Sequence, residues 1–386
     1  MSTIYMDNNA TTQLAPQVAS IMADNLALYG NASSMHELGR NAYSGIDWAR
    51  KMCASLIDAE EDEIYFTSGA SESNNTVFNT MRDIIDSGSV RDRIITTTIE
   101  HPSIMEEVKY LKEKGYKIDL APVDATGMVK VDELEKMLDS DVLLVSVMTG
   151  NNETGTIQPV RQISTLAHAA GAFMHSDATQ AIGKIPVSVK DMDLDYLSMS
   201  AHKFYGPKGI GVLYARKGKA LTPFVHGGHQ EKGLRAGTYN NLGIIGMGEA
   251  ARLAKEDIQK EHDHLWMLRE RLRNGIEKNV PDVVINGNQE HCLPGTLNVS
   301  FPCAEGESIL LYLDMEGIEV STGSACATGS LEPSYVLLAC GLDVELAHGS
   351  IRFSLGRYNT VSDVDTVIEK LPAIIKKVRS MSTRKV

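Results

Sequence analysis

The sequence has few cysteines and no pair of them spaced as in a metal-binding or redox motif. Its five cysteines are odd in number and scattered along the chain: Cys53, Cys292, Cys303, Cys326 and Cys340. This distribution excludes a disulfide framework and the usual zinc-ligand patterns. Four of them lie among apolar or turn residues and are predicted to be inert thiols. Cys326 lies in a different setting and is considered below.

The sequence is also short of positive charge and of long apolar runs. Its formal net charge of −13 argues against a nonspecific nucleic-acid-binding protein and against binding to an anionic membrane surface. The first residues, MSTIYMDNNATT, lack the basic and apolar regions of a secretory signal, and no apolar run reaches membrane-spanning length. We therefore expect a cytoplasmic protein. With 386 residues, 43% of them hydrophobic, the chain is long enough for two or more globular domains.

Short apolar strands alternate with amphipathic helices through the first part of the chain. Strands are predicted at 64–67, 94–99, 142–148, 172–175, 196–199 and 210–214. The alternation is typical of an α/β fold with a mainly parallel sheet. Ligands bind at the carboxyl ends of such strands, and polar clusters follow three of them, at 100–101, 151–153 and 177–180. Each cluster alone is explained equally well as a loop or a helix cap.

Local patterns predict the start of two helices. Ser34 and Glu37 have the spacing of a capping box. The strand at 64–67 is followed by SGASESNN (68–75) and an amphipathic helix, so backbone N–H groups at this turn can bind an anion. Many α/β turns share the second pattern, which by itself is weak evidence for a phosphate site.

The character of the chain changes after a helix predicted at 243–278. Strands at 295–301, 318–321 and 350–355 belong to a second sheet, with helices at 306–316 and 361–380. We place the domain boundary within the long helix, near residue 255. The predicted large domain is 15–255. The predicted small domain comprises 1–14 and 256–386 and carries a loop at about 321–334.

Lys203 lies between two apolar strands in YLSMSAHKFYGPKGIGVLYA (196–215). Burial of an ammonium group is costly and lowers its pKa, which makes sense if the amine is consumed in a Schiff base with an aldehyde cofactor. A lone turn lysine is more often a surface residue. The polar clusters at the neighbouring strand ends favour the catalytic interpretation.

Arg352 lies in the strand predicted at 350–355. Ile351 and Phe353 share one face of that strand, which leaves Arg352 on the other. Its planar guanidinium suits either an ion pair within the fold or bidentate binding of a carboxylate. Both alternatives stay open on this pattern.

Seven motifs in order carry a resemblance to one family. They are SGASESNN, EHP, NNETG, DATQ, SAHKFYGPKG, GGHQEKGLRAGT and GSACATGSLEPS. The chain resembles the pyridoxal-phosphate-dependent cysteine desulfurases of the iron–sulfur-assembly and nitrogenase-maturation type, in the class-V aminotransferase family. The resemblance implies a fold-type I enzyme, with a seven-stranded, mainly parallel sheet in the large cofactor-binding domain and a smaller α+β domain.

The resemblance also implies which residues hold pyridoxal 5'-phosphate. Lys203 would bind it covalently, Asp177 would pair with the pyridine nitrogen, and His101 would stack on the ring and move protons. Gln180 and Asn152 would bind the phenolic oxygen. The remaining cofactor-binding positions are Ala70, Ser71, Ser200, Ala201, His202 and Thr238, with Thr238 supplied by the partner subunit of a homodimer.

By the same resemblance, Arg352 binds the α-carboxylate of L-cysteine, with help from Asn31 and Asn152. Cys326 would take the sulfur as a persulfide and pass it to an acceptor, such as an iron–sulfur scaffold protein, leaving L-alanine. Its loop setting makes it an exposed thiol, the reactive kind. Cys326 would also ligate an iron–sulfur cluster transiently at the scaffold interface.

This sequence departs from the family pattern at a few positions. Ser71, Ala32 and Ala201 replace the more usual threonine, proline and glycine. The chain ends at SMSTRKV, without the longer tail of housekeeping members, so we expect weaker scaffold binding. Alternative functions are a selenocysteine lyase, another pyridoxal-phosphate lyase or aminotransferase, and a non-catalytic binding module that kept the fold.

Overall fold

The computed structural model describes residues 3–322 and 332–382. Within these residues the strands are β1 (Ile4–Tyr5), β2 (Ile64–Thr67), β3 (Arg93–Thr97), β4 (Lys117–Ala121), β5 (Val142–Ser146), β6 (Phe173–Asp177), β7 (Tyr196–Ser200), β8 (Gly211–Ala215), β9 (Val284–Asn286), β10 (Thr296–Ser300), β11 (Ile318–Glu319) and β12 (Ser350–Ser354). The α-helices are α1 (Pro16–Asp24), α2 (Glu37–Ile57), α3 (Ala70–Asp86), α4 (Pro102–Glu113), α5 (Val131–Met137), α6 (Val160–Ala169), α7 (Asn241–Asn279), α8 (Gly306–Met315), α9 (Tyr335–Ala339), α10 (Val344–His348) and α11 (Val361–Met381).

The main sheet has seven strands in the order β2-β8-β7-β6-β5-β3-β4. Its strands are parallel except β8, which runs antiparallel to both β2 and β7. This arrangement confirms the predicted α/β fold with a mainly parallel seven-stranded sheet. The edge strand β4 was missed by the sequence pattern, because Lys117 and Asp119 interrupt its apolar residues.

Helices cover both faces of this sheet. Ile95 and Val145 belong to an apolar cluster with residues of α1, α2, α6 and α7, whereas Ile94 and Leu144 belong to a second cluster with α3 and α4. Successive strand residues point to opposite faces, and here both faces are buried. This double burial explains why β5 (VLLVS) and β8 (GVLYA) are nearly continuous apolar runs.

A separate apolar core lies around the three-stranded antiparallel sheet β12-β10-β9. The helix α7 contributes to this core and to the core of the main sheet: Ile244 and Ala254 pack against the main sheet's cluster, and Leu265 and Ile276 pack in the separate core. The predicted boundary at residue 255 falls inside this helix, between those two sets. The division into domains 15–255 and 1–14 with 256–386 stays a prediction.

The predicted capping box at Ser34 and Glu37 is wrong. The helix α2 begins at Glu37, and its N-cap is His36, whose Nδ1 accepts a hydrogen bond from the Gly39 backbone N–H at 3.2 Å. Ser34 belongs instead to the preceding turn, where its backbone N–H donates to the Asn31 carbonyl at 2.9 Å. Among the described residues, none of the helices combines the length and apolar character needed to cross a membrane.

Candidate active site

A cavity of about 630 Å³ lies at the carboxyl ends of the parallel strands. Its lining residues are Ala10, Thr11, Ser68, Gly69, Ala70, Ser71, Glu72, His101, Met148, Gly150, Asn152, Asp177, Thr179, Gln180, Ser200, His202, Lys203, Lys208 and Gly209. The volume is in the range of small-molecule sites, roughly 300–1,000 Å³. The location is where α/β sheets bind ligands, because the loops after parallel strands meet there.

Most of the predicted cofactor-binding residues line this cavity. They are Ala70, Ser71, His101, Asn152, Asp177, Gln180, Ser200, His202 and Lys203. Four other predicted positions, Ala201, Thr238, Asn31 and Arg352, do not line it. Cys326 lies outside the described residues, so its predicted roles as nucleophile and as cluster ligand stay predictions.

Lys203 is half-buried and directed at the amino-terminal segment of the chain. It follows β7 within a single turn of 3-10 helix, residues 201–203. Its Nζ donates hydrogen bonds to the backbone carbonyls of Asn9 and, at 2.8 Å, of Ala10. The primary amine of Lys203 therefore lies at the cavity wall. Its partner Ala10 is 193 residues away along the chain.

Asp177 is the last residue of β6 and is almost fully buried at the cavity wall. One carboxylate oxygen accepts the backbone N–H of Thr179 at 2.9 Å, and the other accepts Asn74 Nδ2 at 2.7 Å. These two hydrogen bonds hold the side chain in one orientation, with its carboxylate at the wall of the cavity.

His101 is the N-cap of α4, and the neutral form of its ring is favoured. Its Nδ1 accepts the backbone N–H of Ser103 at 3.1 Å, which places the hydrogen of the neutral imidazole on Nε2. Burial lowers the pKa of His101; the charge of Asp177 opposes this shift and the charge of Lys203 adds to it. The ring therefore presents a neutral N–H donor at physiological pH.

The amino terminus of α3 forms another part of the cavity wall. The helix begins at Ala70, directly after the turn at Ser68 and Gly69, so its first N–H groups face the cavity side. The neighbouring strand approaches closely because residue 211 is glycine: a Cβ there would lie 2.6 Å from the Gly69 Cα. This turn is the predicted anion site.

His202 faces the same turn from the end of β7. Its Nδ1 lies 3.1 Å from the hydroxyl of Thr11. Burial, with the charges of Lys203 and Lys208 acting in the same direction, lowers the pKa of His202 to about 4. His202 is therefore neutral near pH 7, and it can bind an anion through a hydrogen bond but not through charge.

Arg352 is buried in β12 and committed to partners of the fold. Its guanidinium donates to Asp7 Oδ1 at 2.8 Å and to the Asn152 carbonyl at 3.1 Å, and its Nε has no partner among the described residues. It is thus adjacent to a cavity residue but outside the lining. Asn31 and Thr238 are exposed elsewhere on this chain.

Sequence reasoning missed several residues that belong to this region. Ala10 and Thr11 line the cavity, although no pattern in the sequence marked them as site residues. Glu100, which the sequence marked only as part of a polar cluster, is fully buried beside His101, and burial raises the pKa of its carboxyl to about 8. Lys184 is also buried there, and no local pattern distinguishes it. Of the seven motifs, only EHP contains a residue of this set, Glu100.

Comparisons with known proteins agree with this geometry. The profile of the Aminotransferase class-V family matches residues 4–367. A "Cysteine desulfurase IscS" of Dictyoglomus turgidum is 46% identical over 383 residues, which are 99% of this chain and 97% of that relative. A protein of the same name from Methanosarcina thermophila is 45% identical over 98% of this chain and 93% of its own length.

Solved structures show the same likeness in three dimensions. A "NIFS-LIKE PROTEIN" superposes with a TM-score of 0.91 at 40% identity, covering 97% of this chain and all of that one. A structure of "SspA in complex with cysteine" has a TM-score of 0.80 at 32% identity, covering 93% of this chain and all of that one. The chain therefore belongs to the aminotransferase class-V family and, within it, to the cysteine desulfurases.

Proposed function

We propose that this protein uses pyridoxal 5'-phosphate to remove sulfur from L-cysteine, releasing L-alanine and passing the sulfur to an acceptor protein. The observation that carries the proposal is the cavity in which the Lys203 amine, the Asp177 carboxylate and the His101 ring meet. The class-V family consists of pyridoxal-phosphate enzymes, and the similar chains are named cysteine desulfurases. The site chemistry and the family thus point to the same reaction.

The residues of the cavity fit this cofactor. Lys203 would bind its aldehyde carbon, and Asp177 would pair with the pyridinium nitrogen. The phosphate would lie at the amino terminus of α3, near Ser71 and Ser200. The hydroxyl of Thr179 is buried at the cavity with no partner among the described residues, as expected of a polar atom at a ligand-binding site.

The cofactor, when bound, would withdraw electrons from the substrate Cα and so acidify its C–H bond. The task of Lys203 is then to take the proton from Cα and return a proton to carbon later in the cycle. The neutral His101 ring holds its own proton at Nε2 and can donate it within the cavity. Asp177, fixed by Asn74 and Thr179, would pair with the ring nitrogen of the cofactor.

The sulfur transfer is assigned to Cys326, which lies outside the described residues. Its thiolate would attack the sulfur of L-cysteine, so that an S–S bond forms and the substrate Cβ–S bond breaks. The electron pair of the broken bond stays on carbon, which takes up a proton and becomes the methyl group of L-alanine. The enzyme is left as a persulfide, which an acceptor such as an iron–sulfur scaffold protein then receives.

The substrate carboxylate is assigned to Arg352, with Asn31 and Asn152. Arg352 contacts the Asn152 carbonyl, and Asn152 lines the cavity. A bidentate bond to the substrate requires the guanidinium to exchange its hydrogen bond to Asp7 for one to the carboxylate. The unpartnered Nε is a donor that such a carboxylate can use without that exchange.

The proposed assembly is a homodimer in which Thr238 completes the partner's phosphate site. Two features support it. Thr238 is exposed and outside the cavity of its own chain. The apolar side chains of Leu26, Tyr29 and Met35 are 68%, 81% and 91% exposed, a surface that a second copy can cover.

The proposal is tested by incubating the purified protein with L-cysteine and the cofactor, and by measuring L-alanine and sulfide. We expect both products from the parent. Cys326→Ser should keep the colour of the bound cofactor and shift its spectrum with L-cysteine, yet release almost no sulfide. Cys303→Ser, at a partly exposed cysteine that does not line the cavity, serves as the matched control and should keep substantial activity. Parental turnover by Cys326→Ser would refute the persulfide mechanism.

A further inference from the structure

A second buried lysine lies close to Lys203, and the proposed reaction gives it no task. Lys184 is 5% exposed, and its Nζ donates to Asn9 Oδ1 at 2.9 Å and to Gln180 Oε1 at 2.8 Å. Asn9 also contacts Lys203, whose Nζ donates to its backbone carbonyl. Burying a lysine costs free energy, so we expect its hydrogen bonds to have a structural or functional role. This cluster of Asn9, Gln180, Lys184 and Lys203 is called the two-lysine cluster below.

The hydrogen bonds of the two-lysine cluster fix the orientation of both amide side chains. Asn9 Nδ2 donates to the Asn152 carbonyl at 3.1 Å and to the Thr296 hydroxyl at 2.9 Å, so Asn9 Oδ1 must be the atom that faces Lys184. A backbone carbonyl can only accept, and a lysine ammonium can only donate. Neither end of this chain of bonds can be reversed.

The orientation of Gln180 follows from the same rule. Its Oε1 accepts from Lys184, and its Nε2 donates to the Asn9 carbonyl at 2.9 Å. One hydrogen on Nε2 is thereby used, and the second is left for a ligand in the cavity that Gln180 lines. With its oxygen occupied by Lys184, Gln180 can offer that ligand a donor and not an acceptor.

We propose that Lys184 is a positioning residue, which holds the Gln180 carboxamide so that its Nε2 donates a hydrogen bond to an anionic oxygen on the ring of the bound cofactor. The inference rests on the proposed function, since that function supplies the ring oxygen. Without Lys184 only the hydrogen bond from Gln180 Nε2 to the Asn9 carbonyl opposes a half-turn rotation of the amide. The ring oxygen would then face Gln180 Oε1, and two acceptor oxygens in contact repel each other.

A purely electrostatic role for Lys184 makes a different prediction. Burial lowers the pKa of Lys184 to about 7. The charges of Lys203 and Arg352 act in the same direction, and the charge of Glu261 opposes them. A charge effect would therefore fade as pH rises through about 7. Positioning would not, because the neutral amine still has two hydrogens for its two oxygen acceptors. The loss caused by removing Lys184 is thus expected to be the same at pH 6 and pH 9.

The experiment is a double-mutant cycle of Lys184→Met and Gln180→Ala. The dissociation constant of pyridoxal 5'-phosphate is measured at pH 6 and pH 9, and the thermal unfolding midpoint is recorded for each variant. We expect each single variant to lose affinity by about tenfold, the value of one hydrogen bond to a charged group. The double variant should lose no more than Gln180→Ala alone, because Lys184 acts through Gln180. Lys190→Met, an exposed lysine, is the control.

An equal loss from Lys184→Met in both backgrounds, or a loss confined to low pH, would overturn the proposal. If Lys184→Met does not fold, Lys184→Leu, which also lacks a donor, takes its place in the cycle with the same criterion. The parent protein separates this result from the proposed function. If the parent binds the cofactor and forms L-alanine but the affinity losses of the two substitutions add, only the positioning role is refuted. If the parent neither binds the cofactor nor forms L-alanine, the proposed function is refuted.

Discussion

The parallel neighbours β6 and β7 carry charged groups at both of their ends, and the two ends differ in how those groups are partnered. At the carboxyl end, Asp177 and Lys203 lie on the wall of the cavity. At the amino end, Asp193 and Asp195 precede β7 and meet His168 and side chains that follow β8. The same two strands therefore carry two polar networks, one that lines a cavity and one in which the charged groups pair with each other.

The amino end is a compact set of ion pairs. Asp195 is fully buried; it accepts the Met174 backbone N–H and His168 Nε2, both at 2.9 Å, and lies 3.1 Å from Lys219 Nζ. Asp193 pairs with Arg216 at 2.7 Å and with His168 Nδ1 at 3.1 Å. Each carboxylate thus lies among charged groups of its own protein, although Asp195 Oδ1 meets Lys219 as an ion pair without hydrogen-bond geometry. This pairing leaves little to offer a ligand.

At the carboxyl end, hydrogen-bond donors and charged groups instead surround the cavity. The hydroxyl of Thr179 has no partner within the described part of the chain, and burial moves the pKa values of His202 and Glu100 away from their ordinary ranges. Such incompletely satisfied groups cost stability and are characteristic of functional sites. The comparison teaches that charge alone does not mark the active site, but the way the charge is partnered does.

The largest effect is expected from Lys203→Ala at the carboxyl end. Loss of the amine should abolish the visible absorbance that borohydride bleaches in the parent, and should slow turnover of L-cysteine by roughly 10³-fold or more. The control is Lys208→Ala, an exposed lysine that also lines the cavity and should keep its colour. Mass spectrometry of the reduced parent should find the adduct on Lys203, and an adduct on Lys208 would contradict the assignment.

Asp177→Asn should come next, with a large loss of turnover and almost no loss of stability. A nearby carboxylate shifts the pKa of a cationic partner by one to three units, so turnover should fall by roughly 10- to 1,000-fold. The new amide can still accept the Thr179 N–H. Asn74 can rotate, because its Oδ1 has no partner among the described residues. Steady-state kinetics and urea unfolding are the measurements, and near-parental activity would mean that Asp177 only caps a turn.

The same substitution at the amino end, Asp195→Asn, should have the opposite outcome. It removes a buried charge from Lys219, Arg216 and His168, and we expect the free energy of unfolding to fall by roughly 2–4 kcal/mol. Turnover per folded molecule should not change. Asp193→Asn, whose carboxylate is 35% exposed, is the control and should cost less. A loss of turnover in Asp195→Asn without loss of stability would break the comparison.

The smallest effect is expected from Glu100→Gln. Burial raises the pKa of Glu100 from 4.5 to about 8, so the folded protein keeps it protonated while the unfolded chain ionises it. Stability from this group is complete below about 4.5 and is lost as pH rises through about 8. The amide keeps the hydrogen bond to the Met148 N–H at 3.0 Å but cannot ionise. The unfolding midpoint of the variant should therefore fall less than that of the parent between pH 6 and pH 9; equal slopes would contradict the assigned protonation.

The sequence by itself predicted the alternation of strands and helices and the polar residues that follow the strands. Lys203 and Asp177 were found because strand period and turn formers act between residues close in the chain, and because parallel strands bring their carboxyl ends to one edge. The order of the motifs then identified the family. The edge strand β4 and the start of α2 were missed, since a charged edge strand and a histidine cap have no strong local signal.

Only the tertiary structure decided which of these groups are buried and what they contact. Asn9 joins Lys184 and Lys203 across separations of 175 and 194 residues, and no spacing in the sequence indicates that contact. The raised pKa of Glu100 and the ion pairs of Asp195 likewise depend on segments that pack together from distant parts of the chain. The physical reason is that removal from water and the choice of hydrogen-bond partners arise from packing in space, whereas patterns in a sequence report only neighbours along it.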